Sequence, residues 1–319
     1  MPTDTIEGSI RVAFQKMAMS GRGDAGALAV GLRTEVTGVG LRALAAKLLH
    51  VAVYAPGRLI DVYDGAAHGW LSGQTYPPST RGAQHPGPSS DFWQAFWRAV
   101  DAPAASRLRQ PFTDAMIGLA KLAGSDLNRR VADAALDFPG VAEAVAAGVL
   151  DRPDMARLAQ SPPAAFGGFA YREIVARGGL AIDAGDLALD ELPPVLGYLN
   201  TRVLECDGVW AALAGYGQND LDELGFAAFK LAQFGHHYSA ILLALALATV
   251  AFERPPRLEL VLESVFMGWM HGRQTPPLLG VRWSELWDLP VEAVREMVGV
   301  SPFLSPASAA LRSGEGPRR

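Results

Sequence analysis

Apolar positions recur at three- and four-residue spacing along most of the chain, and period-two alternation bounded by turn residues is scarce. The pattern predicts an all-α fold, a multi-helix bundle. Ala25 to Leu49 has helical period with Asp24 placed to cap it, but its glycines and a Thr-Gly-Val-Gly patch weaken the middle, so one bent helix or two are expected. Further helices are predicted at Phe92–Val100, Thr113–Gly124, Asp126–Leu136, in PGVAEAVAAGVL and in DMARLAQ. The C-terminal half adds Leu192–Ala214, Leu221–Phe234, Tyr238–Phe252, Arg257–Arg273 and Val291–Val298. The run Tyr238–Phe252, YSAILLALALATVAF, is uncharged but shorter than the roughly 18 to 20 residues that span a bilayer, so it reads as a helix buried on all sides.

Between these segments, SGQTYPPSTRGAQHPGPSSD (72–91) is rich in Pro, Gly and Ser and is expected to be an exposed loop, the best place for a domain boundary. The expected organisation is a helical N-terminal extension over 1–110, a helical domain over 111–304 and a disordered tail over 305–319, which lacks an apolar face.

Composition narrows the function classes. Half of the 319 residues are apolar, ample for a core, and the formal net charge is −5 without a basic run, which argues against nucleic acid as a partner. A single cysteine, Cys206, precludes an intrachain disulfide or a multi-cysteine zinc site. The start MPTDTIEGSIRVAF has neither a secretory nor an organellar targeting profile, so a cytoplasmic location is expected.

Several motifs have bland explanations. GRGDAG (21–26) matches a dinucleotide fingerprint, but a helical segment precedes it instead of a strand, so it reads as a turn between helices. His236 and His237 point about 100° apart on a helix and fit a helix start after Gly235 better than a joint ligand set. His271 ends an amphipathic segment, where an imidazole or cation suits a helix C-terminus. Met267, Trp269 and Met270 read as core residues that could also line an apolar ligand cavity.

The informative stretch is ECDGVWAALAGYGQNDLDE (205–223). Asp207 and Ala211 share a helix face, with Trp210 beside it, and GYGQN breaks the helix after Ala214. Asp220 three residues before Glu223 has the spacing of a capping box, a sufficient structural reason for Glu223. The plain reading of Asp207 is a solvent-facing or salt-bridged residue, with Arg202 as the partner within reach.

This stretch resembles a known family, the fourth coenzyme Q (ubiquinone) biosynthesis protein of mitochondria and many bacteria. Its hallmark is His-Asp-x-x-His followed after eleven residues by Glu, and bacterial members continue into Gly-Tyr-Gly. Here GYG is Gly215–Gly217, and counting back from Glu223 sets the histidine positions on Asp207 and Ala211 and the aspartate position on Gly208. The flanks agree: SPPAAFGGFAYREIVARGGL (161–180), FAAFKLAQ after the glutamate, and MHGRQTPPLLGVRWSELWDLPVEAVREMVGV (270–300) are similar to family segments. The resemblance covers roughly Pro111 to Pro302.

It implies an elongated apolar cavity for a polyprenyl chain and association with the membrane surface or with quinone-pathway proteins. The departure is in the metal positions, where Gly208 and Ala211 carry no donor atoms. The expectation is therefore a protein of coenzyme Q biosynthesis type, with no metal or cofactor, that binds an isoprenoid-like molecule. Trp210, Ala211, Phe226, Met267, Trp269, Met270 and His271 are expected to line its site. The second expectation is a repurposed isomerase, cyclase or decarboxylase with Asp207 and Glu223 as acid and base, assisted by Tyr216, since an apolar pocket raises a carboxyl pKa. The third is a helical interaction protein without a ligand. A homodimer and a peripheral position at the inner membrane are compatible with all of these.

Overall fold

The computed structural model describes residues 2–75, 88–102, 117–122, 124–178, 189–253 and 258–304. Those residues are helical and connecting, and their only bridge of strand type is the isolated pair Ala165–Pro290. The fold is an all-α multi-helix bundle. Most of the expected loop at 72–91, the expected boundary near residue 110 and the tail from residue 305 lie outside the described residues.

The first five helices are α1 (Pro2–Ser20), α2 (Ala25–Thr34), α3 (Gly38–Val53), α4 (Leu59–Ser72) and α5 (Ser90–Val100). The Ala25–Leu49 pattern is thus two helices. Glu35 leaves the helical region, and the Thr37 hydroxyl accepts from the Gly40 amide to start α3, as Asp24 accepts from Ala27 to start α2. GRGDAG is the turn between α1 and α2. The helical segment expected before GRGDAG is α1, and α4 is the element that the sequence pattern does not single out.

The middle of the chain forms α6 (Ser125–Ala135), α7 (Val141–Ala147), α8 (Met155–Gln160) and α9 (Phe166–Ala176). The last part forms α10 (Pro194–Leu213), α11 (Asp220–Phe234), α12 (His237–Glu253), α13 (Leu258–Gln274) and α14 (Val291–Val298). The central element is α12. None of residues 237–252 is exposed, because α3 and α5 from the N-terminal part and α11 from the C-terminal part all cover it. The all-round apolar sequence of this helix needs such a position, since each leucine buried contributes about 1.5–3 kcal/mol. The first hundred residues therefore share one core with the rest. Phe14 and Trp97 meet Phe252 edge-on, with centroid distances of 5.8 Å for Phe14–Phe252 and 5.2 Å for Trp97–Phe252.

The most extensive helix pair is α11 with α13. The two backbones approach at Gly225 and Gly268, where a Cβ on Gly268 would lie 2.2 Å from the Gly225 carbonyl oxygen. Only glycine permits that contact. It fixes α11, and with it the side chains of Glu223, Phe226 and Lys230.

Candidate functional site

Asp207 comes from the second turn from the end of α10, and Glu223 from the first turn of α11. Glu223, Phe226 and Lys230 are spaced i, i+3, i+7, so they form one stripe along α11 that faces Asp207. The Lys230 ammonium donates to Asp207 Oδ1 at 2.5 Å and lies 4.5 Å from the Phe226 ring centroid. Asp207 is therefore salt-bridged, but to Lys230. Arg202, the partner expected from the sequence, is fully buried instead and donates to the carbonyls of Leu279, Val281 and Asp151 with Glu205 at 3.5 Å.

Glu223 has a cation of its own. Arg177, just past the end of α9, donates to Glu223 Oε1 at 2.7 Å and to the carbonyls of Tyr216 and Gly217 at 2.6 and 2.8 Å. Burial pushes the Glu223 carboxyl above the usual carboxylate range; Arg177 and Lys230 oppose the rise and Asp207 adds to it. The expected capping box is not formed. Asn219 caps α11, its Oδ1 accepting from the amides of Leu221 and Asp222, while Asp220 is already the first helical residue and Glu223 turns outward to Arg177.

The GYG turn is locked from both sides. Buried Asp222 accepts from the Gly217 amide at 3.0 Å and from the Asn219 side-chain amide at 2.8 Å. Tyr216 is buried; its hydroxyl meets His271 Nδ1 at 2.9 Å and its ring stacks on Phe303 at 4.4 Å. The other ring nitrogen, Nε2, lies 2.8 Å from the Ser301 carbonyl. A carbonyl only accepts, so Nε2 carries the proton and the tyrosine hydroxyl donates to Nδ1. Burial holds this imidazole's pKa below its ordinary value, so of the imidazole or cation expected at this helix C-terminus His271 supplies a neutral imidazole.

The expected lining residues divide. Phe226 packs against Tyr216 and sits under both cations. Trp210 and Ala211 are fully buried in α10, Trp210 against Phe234 at 5.0 Å. Trp269 faces α4: it packs on Tyr63 at 4.9 Å and donates to Asp64 at 2.7 Å. Met267 and Met270 are half-buried on the same helix. The thiol of Cys206 is buried and its pKa is pushed up to about 12 by desolvation, which leaves it protonated. Pattern reading misses Lys230, Arg177 and Asp222. A lone lysine in the apolar run FAAFKLAQ, two turns after Glu223, is the one available signal.

Fold and site together define an all-helical protein whose consecutive helices α10 and α11 present two carboxylates, each closed by a basic side chain. Residues 150–303, just under half of the chain, match the family model of the coenzyme Q (ubiquinone) biosynthesis protein Coq4. The resemblance expected from Pro111 onward thus begins, in the match, at residue 150. The crystal structure of a Nostoc punctiforme protein assigned to ubiquinone biosynthesis superposes with a TM-score of 0.51 over 66% of this chain and 97% of that one. At 23% identity this likeness is one of fold. No curated protein matches the chain. Among the described residues no helix is long and apolar enough to cross a membrane.

Proposed function

We propose that the protein serves coenzyme Q biosynthesis as a metal-independent member of its family, one that holds a prenylated quinone precursor or a similar hydrophobic molecule. One observation carries the reading: the two carboxylates left at the family's metal positions are both paired with cations of the protein, Asp207 with Lys230 and Glu223 with Arg177. The residues present do not fit the family's metal. Gly208 and Ala211 offer no donor atoms, and a side chain at position 208 would meet Ile174, whose Cγ1 lies 2.7 Å from the position of a Cβ there. A divalent ion would have to displace an ammonium and a guanidinium to reach two carboxylates, a poor exchange for an ion that prefers imidazole or a full oxygen shell. Among the described residues no group of three or more His, Cys, Asp or Glu is arranged to hold a metal.

What the fold then retains is an apolar interior and docking surfaces, and the family supplies the ligand class. Contact with a membrane surface, with other quinone-pathway proteins or with a second copy belongs to the same reading. Native mass spectrometry, elemental analysis and organic extraction of one freshly purified sample test it. Metal well below one equivalent together with an extracted isoprenoid supports it. One equivalent of metal that disappears in Asp207→Asn overturns it.

A second reading has its own observation, the raised pKa of Glu223, which suits a carboxyl acting as acid or base near neutrality. It requires turnover of a hydrophobic substrate that is abolished by Glu223→Gln.

A further inference from the structure

Away from the Asp207–Glu223 face, Lys47, His50 and Tyr54 are spaced i, i+3, i+7 and share one face of α3 and its C-terminal cap. The Lys47 ammonium donates to the Gly21 carbonyl at 2.5 Å, and the His50 ring bonds the Ala18 carbonyl through Nδ1 at 2.8 Å. A carbonyl only accepts, so Nδ1 carries the proton and Nε2 holds a lone pair. That nitrogen faces Gly21, where a Cβ would lie 2.3 Å from it, so only the missing side chain leaves it uncovered. The lysine amine and the imidazole nitrogen thus converge on one glycine of the GRGDAG turn. Tyr54 stacks on His50 at 5.3 Å, and its hydroxyl is buried with no partner among the described residues.

Lys47 is only 8% exposed, yet no carboxylate forms an ion pair with it among the described residues. Lysines are rarely buried unless they are paired. Burial and the positive charge of Arg58 hold its pKa below the usual lysine value, with a weaker opposing pull from Asp24. Burial, Lys47 and Arg58 likewise keep His50 neutral. A lysine desolvated beside another cation gives up its proton readily and becomes a nucleophile. A neutral imidazole with an open Nε2 is the group that can take that proton. The space that Gly21 leaves is small, which restricts an electrophile to an unhindered one.

We propose that Lys47 captures an aldehyde or unhindered ketone as an imine, with His50 as the proton acceptor. Lys47 Nζ gives a proton to His50 Nε2 and attacks the carbonyl carbon, and a second nitrogen proton passes to the carbonyl oxygen. The imidazolium then returns its proton to the departing hydroxyl, so that water leaves and the protonated imine remains. No oxidant or metal is needed. The site uses none of the residues on which the metal-independent reading rests, so either can fail without the other.

Reductive alkylation of the full chain with propanal and cyanoborohydride at pH 7, read by peptide mass spectrometry, tests the proposal. Exposed Lys16 and Lys121 are internal references. Lys47 is expected to be alkylated about tenfold faster than either, since only about 0.04% of exposed lysine is unprotonated at that pH. His50→Gln keeps a donor for the Ala18 carbonyl and removes the basic nitrogen. It should slow Lys47 by about tenfold or more and leave Lys16 unchanged. If His50→Gln does not fold, the parent's rates against pH carry the test, and the Lys47 rate should level off at a lower pH than that of Lys16. Lys47 alkylated no faster than the references, the result that merely capping α1 would give, overturns the proposal. So does alkylation of Lys47 only in denaturant, or at an unchanged rate in His50→Gln.

Discussion

Lys230 on α11 reaches back across the helix interface to Asp207 on α10, and its ammonium rests over the ring of Phe226 one turn earlier. The pair is largely shielded, with side-chain exposures of 14% and 33%. Lys230→Met keeps most of the apolar stem over Phe226 and removes the charge. It is expected to cost about 1–2 kcal/mol, between an exposed pair and a fully buried one. A double-mutant cycle with Asp207→Asn, read by urea unfolding, should show a coupling of about 1 kcal/mol. Additivity of the two substitutions would mean that the contact contributes nothing.

Gly208 lies in α10 where a side chain would meet Ile174 of α9. In an open helix Gly→Ala stabilises by up to about 1 kcal/mol. Here the new methyl group meets Ile174 of α9, so Gly208→Ala is expected to destabilise by about 1–3 kcal/mol through overpacking. The sign of the change decides the matter. The cost should shrink when Gly208→Ala is combined with Ile174→Ala, relative to Ile174→Ala alone, since the clash is then removed.

Helix α12 is legible in the sequence because a mostly apolar run of fifteen residues without a charge admits one placement, the centre of the bundle. Its junction with α11 is legible at Gly235, whose left-handed conformation ends α11. The cap of α11 is misplaced by one residue, since Asn219 and Asp220 are equally good capping types and only the backbone break, extended at Asn219, distinguishes them. Glu223 had no visible partner because Arg177 lies 46 residues away in sequence and is delivered by the packing of α9 on α10. No local pattern encodes that.

Tyr216 and His271 form a buried hydrogen bond that ties the GYG turn to α13. Tyr216→Phe preserves the ring stacked on Phe303 and leaves Nδ1 of His271 unsatisfied. A loss of about 1–2 kcal/mol is expected, the usual cost of orphaning one buried acceptor. Under the metal-independent reading, lipid recovered on extraction stays the same in this variant. Loss of turnover much larger than the loss of stability would instead support the acid–base reading.

Cys206 should be silent in the native protein. A thiol whose pKa is pushed up to about 12 and which has no exposed surface presents neither thiolate nor access. Maleimide or iodoacetamide should label it only in denaturant, at the rate of global unfolding. Rapid stoichiometric labelling under native conditions would show that α10 opens locally.

His237 is expected to contribute to the acid sensitivity of the fold. Its pKa falls from 6.5 to about 4, because burial disfavours the charged ring more than its bond to the Ala52 carbonyl favours it. The unfolded chain takes up a proton near pH 6.5 and the folded one does not until about pH 4, so this contribution is present above pH 6.5 and is lost as pH falls through that window. The loss is on the order of 3 kcal/mol. Glu223 acts with the opposite sign: a raised carboxyl pKa stabilises below the unfolded value and loses that contribution as pH rises through the folded one. Comparing the parent with His237→Gln therefore isolates the histidine. Gln keeps a donor for the Ala52 carbonyl without titrating. The parent's unfolding free energy should drop more steeply between pH 6.5 and 4.5 than the variant's, with His236, also held neutral by burial, supplying the part of the slope that remains. Identical slopes in the two proteins would mean that His237 is protonated in the native state.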